Sequence, residues 1–190
     1  DAQPVCWALL DADKGASFRI APSEPFEAER AYLDGTNILC TTLTTSKGRV
    51  KVTDFLPVRS AADASEPFVD LDAPGWLVRV VEALEGRCDL DLVFDPGACA
   101  FDPEAGARLD MRLFQQDAPS AECVRSKFTL LAGERRAFVL APADAEPVAP
   151  AEQAEGLLHS TADFWREWTG ASRYDGPYRA AVERSALALK

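Results

Sequence analysis

Histidine is almost missing from this chain: His159 is the one imidazole in 190 residues. Ser-His-Asp and Cys-His catalysis would both have to run through it, and no Ser or Cys nucleophile motif stands nearby. His159 therefore reads as a surface or packing residue. The same scarcity removes most transition-metal sites, which need two or more His or Cys ligands at fixed spacing. The five cysteines, Cys6, Cys40, Cys88, Cys99 and Cys123, are odd in number and form no C-x-x-C pair. They read as buried free thiols of a reducing compartment, so the expected location is cytoplasmic. Glycine-rich phosphate loops of the G-x-G-x-x-G or G-x-x-x-x-G-K-[ST] type do not occur. No apolar run approaches the ~20 residues of a membrane span, and no basic-then-apolar signal pattern opens the chain. Basic residues are also in short supply, 20 Lys and Arg against 31 Asp and Glu, for a net charge of -11. Such a surface repels phosphate backbones and anionic headgroups, which excludes nucleic-acid and membrane-surface partners.

What the chain does have is period-two patterning through about residue 141. Arg49-Val50-Lys51-Val52-Thr53, Cys88-Asp89-Leu90-Asp91-Leu92 and 107–113 alternate polar and apolar, as half-buried strands do. Further strands are expected at 17–20, 27–33, 37–45, 76–84, 127–131 and 135–140. Three-residue turns carrying a glycine, 46–48, 85–87 and 132–134, suit antiparallel hairpins. Residues 57–75 read as a long irregular loop. Many strands without intervening helices predict a mainly β fold, an antiparallel two-sheet β-sandwich.

The texture changes at Ala141, where a Pro- and Ala-rich linker begins. A helical stripe follows: Leu157, Thr161, Phe164, Trp165 and Trp168 share one face, with Pro150 at the start and Gly170 at the end. A second helix begins near Asp175-Gly176-Pro177, with Tyr178, Ala181, Val182, Ser185 and Leu189 on one face. That pattern is still running at Lys190, so the expectation is a chain that continues. Phe164, Trp165 and Trp168 are too much apolar surface for a lone linker helix and must lie against the sheet, a continuation, or both.

Carboxylates and aromatics are the remaining candidates for chemistry. Asp89 and Asp91 share the solvent face of an alternating strand, which makes them solubilising, edge-protecting residues. Asp95, Asp102 and Glu104 lie in a loop that could hold calcium, but their spacing fits no known calcium loop. Trp7, Tyr32, Trp76 and Phe101 fall near strand ends, where a sugar-stacking platform could form, Trp7, Tyr32 and Trp76 above all. No catalytic residue, cofactor site or metal site can be named.

Several runs together resemble a known family. Gly15-Ala16-Ser17-Phe18-Arg19-Ile20-Ala21-Pro22 is followed by Tyr32-Leu33-Asp34-Gly35-Thr36-Asn37-Ile38-Leu39. Then come Val52-Thr53-Asp54-Phe55-Leu56-Pro57 and Leu77-Val78-Arg79-Val80-Val81-Glu82. Trp165-Arg166-Glu167-Trp168, Tyr174-Asp175-Gly176-Pro177-Tyr178-Arg179 and Val182-Glu183-Arg184-Ser185-Ala186-Leu187-Ala188-Leu189-Lys190 complete the set. In order and spacing they resemble the N-terminal domain of bacterial glycoside hydrolase family fifteen proteins, which are glucoamylase- and trehalase-like. The resemblance covers nearly the whole chain.

It implies a β-sandwich (supersandwich) over 1–141, a linker and linker helix over 142–172, and over 173–190 the first helix of an (α/α) barrel. In such enzymes the barrel hydrolyses α-glucosidic bonds with inversion, through a general-acid and a general-base glutamate. Both belong to the barrel, so no residue here inherits either role. The implied role is support: packing on the barrel through Phe164, Trp165, Trp168 and Tyr178, with carbohydrate met only through the parent enzyme. A stand-alone carbohydrate-binding sandwich is the alternative. The family's opening strand pair is missing before Pro4-Val5-Cys6-Trp7, and Cys6 stands where a Phe is expected. One sheet edge should then lack a neighbour, and a charged edge or a strand from a second copy, in a homo-oligomer, would have to cover it.

Overall fold

The computed structural model describes residues 17–61, 68–95, 101–102, 107–108, 111–115, 118–121, 124–142 and 150–190. The first strands are β1 (Ser17–Pro22), β2 (Glu27–Tyr32), β3 (Leu39–Thr44) and β4 (Gly48–Phe55). Two short strands, β5 (Arg59–Ser60) and β6 (Leu71–Asp72), precede the long β7 (Leu77–Asp95). Then come β8 (Phe101–Asp102), β9 (Ala107–Arg108), β10 (Met111–Gln115) and β11 (Ala118–Ala121). The chain ends with β12 (Val124–Leu131), β13 (Arg135–Pro142), α1 (Pro150–Gly170) and α2 (Arg179–Leu189). The fold is mainly β, as the alternation predicts, and every strand pair is antiparallel.

Two sheets share β7. Its first half lies in a sheet ordered β11-β10-β13-β7-β4-β3-β2, and its second half pairs β1 on one side and β12 on the other. Between the sheets, Ile20, Val50, Val52, Val81, Leu90, Leu92, Phe94, Leu130 and Phe138 form the main core. Each is almost fully removed from water, worth roughly 1.5–3 kcal/mol for a large aliphatic or aromatic side chain.

Here the structure corrects the expected hairpins at 85–87 and 132–134. Glu85-Gly86-Arg87 does not reverse the chain; the 19-residue β7 continues through it. Nor do β12 and β13 pair with each other. They lie end to end along β7, with Leu131 opposite Arg87 and Arg135 opposite Glu82. The turn at 132–134 is a kink in that second strand, closed by the Glu134 amide donating to the Leu131 carbonyl at 2.8 Å. Gly86 makes the bend possible. Its φ is +66°, and a Cβ there would stand 2.0 Å from the Lys47 carbonyl oxygen. Opposite Arg49 and Val50 the register shifts from Glu85 to Ala83, which leaves Leu84 as an extra, bulged residue. The bulge also changes which positions face inward, from Val81 and Ala83 to Cys88, Leu90 and Leu92.

Residues 57–75, expected to be irregular, contain the small β5–β6 ladder, fastened by Arg59 and Asp72 at 2.5 Å. Helix α1 lies on the outer face of the larger sheet. Its Ala154 and Ala162 are buried with Ile38, Phe55, Val78, Val139 and Ala141, and Leu157 and Leu158 pack beside them. Small residues on the helix and β-branched residues on the strands let the two surfaces approach closely. Thr161, wholly buried, accepts a hydrogen bond from the Val58 amide at 3.3 Å.

Candidate docking surface

One tight loop, 33–38, ties both helices to the sheet. It closes on itself: the Leu33 amide donates to the Ile38 carbonyl at 2.8 Å and the Thr36 amide to the Leu33 carbonyl at 3.0 Å. The Thr36 hydroxyl, fully buried, donates to the Leu33 carbonyl at 2.7 Å and accepts from the Ile38 amide at 3.1 Å. Gly35 adopts φ +70°, and a Cβ there would press on Thr169 Oγ1 at 3.3 Å. Glycine is thus required twice over, for the backbone angle and for the contact with α1.

The same loop holds α2. Asn37 Nδ2 donates to the Leu187 carbonyl at 2.7 Å, and Arg184 Nη1 donates to the Thr36 carbonyl at 2.9 Å. Arg184 also donates to Asn37 Oδ1, and its guanidinium lies 4.0 Å from the centre of the Tyr32 ring. A planar cation bound by a carbonyl, an amide and an aromatic face is a built contact rather than a stray surface pair.

Beside this latch runs a row of aromatic rings. Phe68 meets Phe164 edge to face at 5.7 Å, Phe164 meets Trp165 at 5.2 Å, and Trp165 meets Trp168 at 6.0 Å. Such pairs contribute about 0.5–1.5 kcal/mol each beyond area burial. Leu187 of α2 is buried against them, and Lys190 Nζ donates to the Phe68 carbonyl at 2.7 Å. Phe68 itself takes φ +68°, an uncommon angle for a bulky side chain.

The outer rim of this assembly is apolar and uncovered. Leu189 is 88% exposed, Tyr178 72% and Val69 64%, with Val182, Leu71 and Tyr174 also open to solvent. Between Phe68, Trp168, Ala171 and Val182 lies a groove of about 340 Å³. Tyr178, at the N-cap position of α2, makes no side-chain cap hydrogen bond.

The residues singled out from sequence separate here. Phe164 and Trp165 are spent inside the chain, Trp168 lines the groove, and Tyr178 stands at the rim. Tyr32 is half exposed with Arg184 on its ring, and Trp76 is half-buried beside the Ile38 and Phe55 cluster. Trp7 and Glu104, and the side chains of Phe101 and Asp102, lie outside the described residues. Asp89 hydrogen-bonds Thr129 and Arg87, which lower its pKa in that order, and Asp91 pairs with Lys127 at 3.0 Å. Asp95 pairs with Arg125 at 3.3 Å. Among the described residues, no three His, Cys, Asp or Glu side chains are grouped as a metal would need. Likewise, no helix of the described residues is long and apolar enough to cross a membrane.

Sequence reasoning missed the roles of Gly35, Thr36, Asn37 and Arg184. The run Asp34-Gly35-Thr36-Asn37 is visible as turn chemistry, but nothing local says that it grips a helix some 150 positions later.

The chain is similar over its whole length to trehalases. It is 27% identical over 210 residues to the trehalase of Thermoplasma volcanium, covering 100% of this chain and 32% of that protein. To the Thermoplasma acidophilum trehalase it is 29% identical over 206 residues, 96% of this chain and 33% of that one. The Mycolicibacterium smegmatis trehalase matches at 27% over 225 residues, 100% of this chain and 33% of its own. The chain thus spans about a third of the length of the curated relatives it matches. No protein-family profile and no solved structure matches it.

Proposed function

We propose that this chain is the non-catalytic N-terminal β-sandwich of a glycoside hydrolase acting on α-glucosidic bonds. The reading is of the glucoamylase- and trehalase-like kind, family fifteen, with trehalose as the first substrate to test. On this reading 1–141 form the sandwich, 142–172 the linker and linker helix, and 173–190 the first helix of the catalytic barrel. The observation that carries it is the uncovered apolar rim of Tyr178, Val182 and Leu189, held rigidly by the 33–38 loop. A rim so exposed is unfavourable in water and suits a neighbouring domain of the same polypeptide. Similarity to trehalases over only a third of their length supports the same arrangement. Support for the barrel would be mechanical: the loop and the aromatic row give its first helix, α2, a fixed base.

The free thiols of Cys40 and Cys88 fit a reducing, cytoplasmic setting. Burial pushes the Cys88 thiol up, which makes it less reactive still.

The test uses the full polypeptide carrying the triple change Tyr178→Ser, Val182→Ser, Leu189→Ser. Weakened docking lowers its melting temperature and its trehalose hydrolysis together, while strand exchange in the sandwich stays native. Unchanged stability and unchanged hydrolysis would overturn the docking role.

A further inference from the structure

A second cavity, of about 400 Å³, lies away from the docking rim, between the outer face of the larger sheet and the first half of α1. Its base is set by strand register. Lys51 on β4 and Arg135 on β13 both stand directly opposite Glu82 on β7, one on each side. Lys51 Nζ lies 2.7 Å from Glu82 Oε2, and Arg135 Nη2 lies 2.8 Å from Glu82 Oε1. From the helix, Glu155 and His159 close the upper wall. Val80 and Ala137 supply an apolar floor from the sheet, facing Ala154 and Leu158 of α1.

The lining selects its ligand by elimination. An anion would meet Glu82 and Glu155, and a cation would meet Lys51 and Arg135, while the Arg136 guanidinium lies over the Phe128 ring. Opposite charges nearly cancel, so neither ion is favoured. Donors and acceptors nevertheless both line the walls: the Arg135 side chain remains 57% exposed beside its carboxylate partner. Thr53, a buried hydroxyl, has the Cys40 thiol at 4.0 Å as a weak partner. A guanidinium beside a carboxylate matches vicinal hydroxyls, which donate to one and accept from the other. The apolar floor suits the C–H face of a ring. The volume falls in the range of small-molecule sites, about 300–1,000 Å³.

We propose that this cavity binds a neutral polyhydroxyl ligand, a mono- or disaccharide, through Arg135, Glu82, Glu155 and His159. This site is distinct from the Tyr32 and Trp76 surface, and its existence does not depend on the docking reading.

His159, being the sole histidine, gives an unambiguous reporter. The 190-residue chain is titrated with trehalose and with glucose while the ring C–H resonances of His159 are followed. A saturable shift with at least one of the two sugars is expected. Arg135→Gln and Glu155→Gln should each raise the half-saturation concentration by about tenfold or more. Glu155 is solvent-facing on α1, so Glu155→Gln should keep the native denaturation midpoint and separate binding from folding. No shift with either sugar at about 100 mM, well above the millimolar range of a weak site, would overturn the proposal. So would a shift whose half-saturation in both variants equals that of the unsubstituted chain, because the sugar would then be binding elsewhere.

Discussion

Asn37 and Leu187 stand 150 positions apart, yet Asn37 Nδ2 donates to the Leu187 carbonyl at 2.7 Å. That bond sits beside two from Arg184 to the same loop, so a turn between the second and third strands determines where the last helix lies. The sheets, α1 and the exposed rim become one unit through it.

Asn37→Ala removes a side-chain donor and leaves a helical carbonyl short of its partner, a loss of about 1–3 kcal/mol. The expected result is faster hydrogen exchange across α2 with the strands unaffected. Arg184→Ala should give the same pattern, and the double variant should fall short of the sum because the two residues share one network. Exchange measured peptide by peptide checks both statements.

Gly35→Ala forces an L side chain into φ +70° and against Thr169 Oγ1. The strain should cost about 1–2 kcal/mol, more than Gly133→Ala, where φ is +87° but the space is open. Urea denaturation midpoints of the two variants give the comparison.

Gly86→Val places atoms where the Lys47 carbonyl already is. Because β7 belongs to both sheets, the damage reaches the whole core, and a loss of about 4 kcal/mol or more is expected. Far-ultraviolet circular dichroism with thermal melting reads it. A native melting curve would mean the bend does not depend on this glycine.

Glu82 carries a predictable acid sensitivity. The hydrogen bond from Lys51, then that from Arg135, holds its carboxyl below the ordinary value of 4.5. A carboxylate whose folded pKa is depressed contributes stability that is complete above its unfolded pKa. That contribution is lost as pH falls below 4.5 and through the lower folded value. Glu82→Gln should therefore flatten the acid limb of the stability profile below pH 4.5. An acid limb as steep as the parent's would contradict this assignment.

The fold class was legible because alternation over Arg49–Thr53 and Cys88–Leu92 is a direct consequence of one wet face. The course of the chain through Glu85-Gly86-Arg87 was not. A glycine turn and a glycine bend have the same local chemistry, and only the hydrogen bonds from the β3–β4 connection keep β7 extended. One signal was present: inward positions change parity between Ala83 and Cys88, as a bulge requires and a three-residue hairpin does not. The stripe of Phe164, Trp165 and Trp168 announced that something must cover it. It could not say that Phe68 and Leu187 would do so for Phe164 and Trp165. The latch was invisible for a similar reason, since a carbonyl on α2 has no sequence signature.

On the proposed reading, the rim of Tyr178, Val182 and Leu189 is covered by the rest of a longer polypeptide. Hydrogen–deuterium exchange of the peptides spanning Tyr178–Leu189, compared between this chain alone and the full polypeptide, tests it most directly. Marked protection of those peptides in the full polypeptide, with equal exchange in β7, is expected. Equal exchange over Tyr178–Leu189 in both would contradict it.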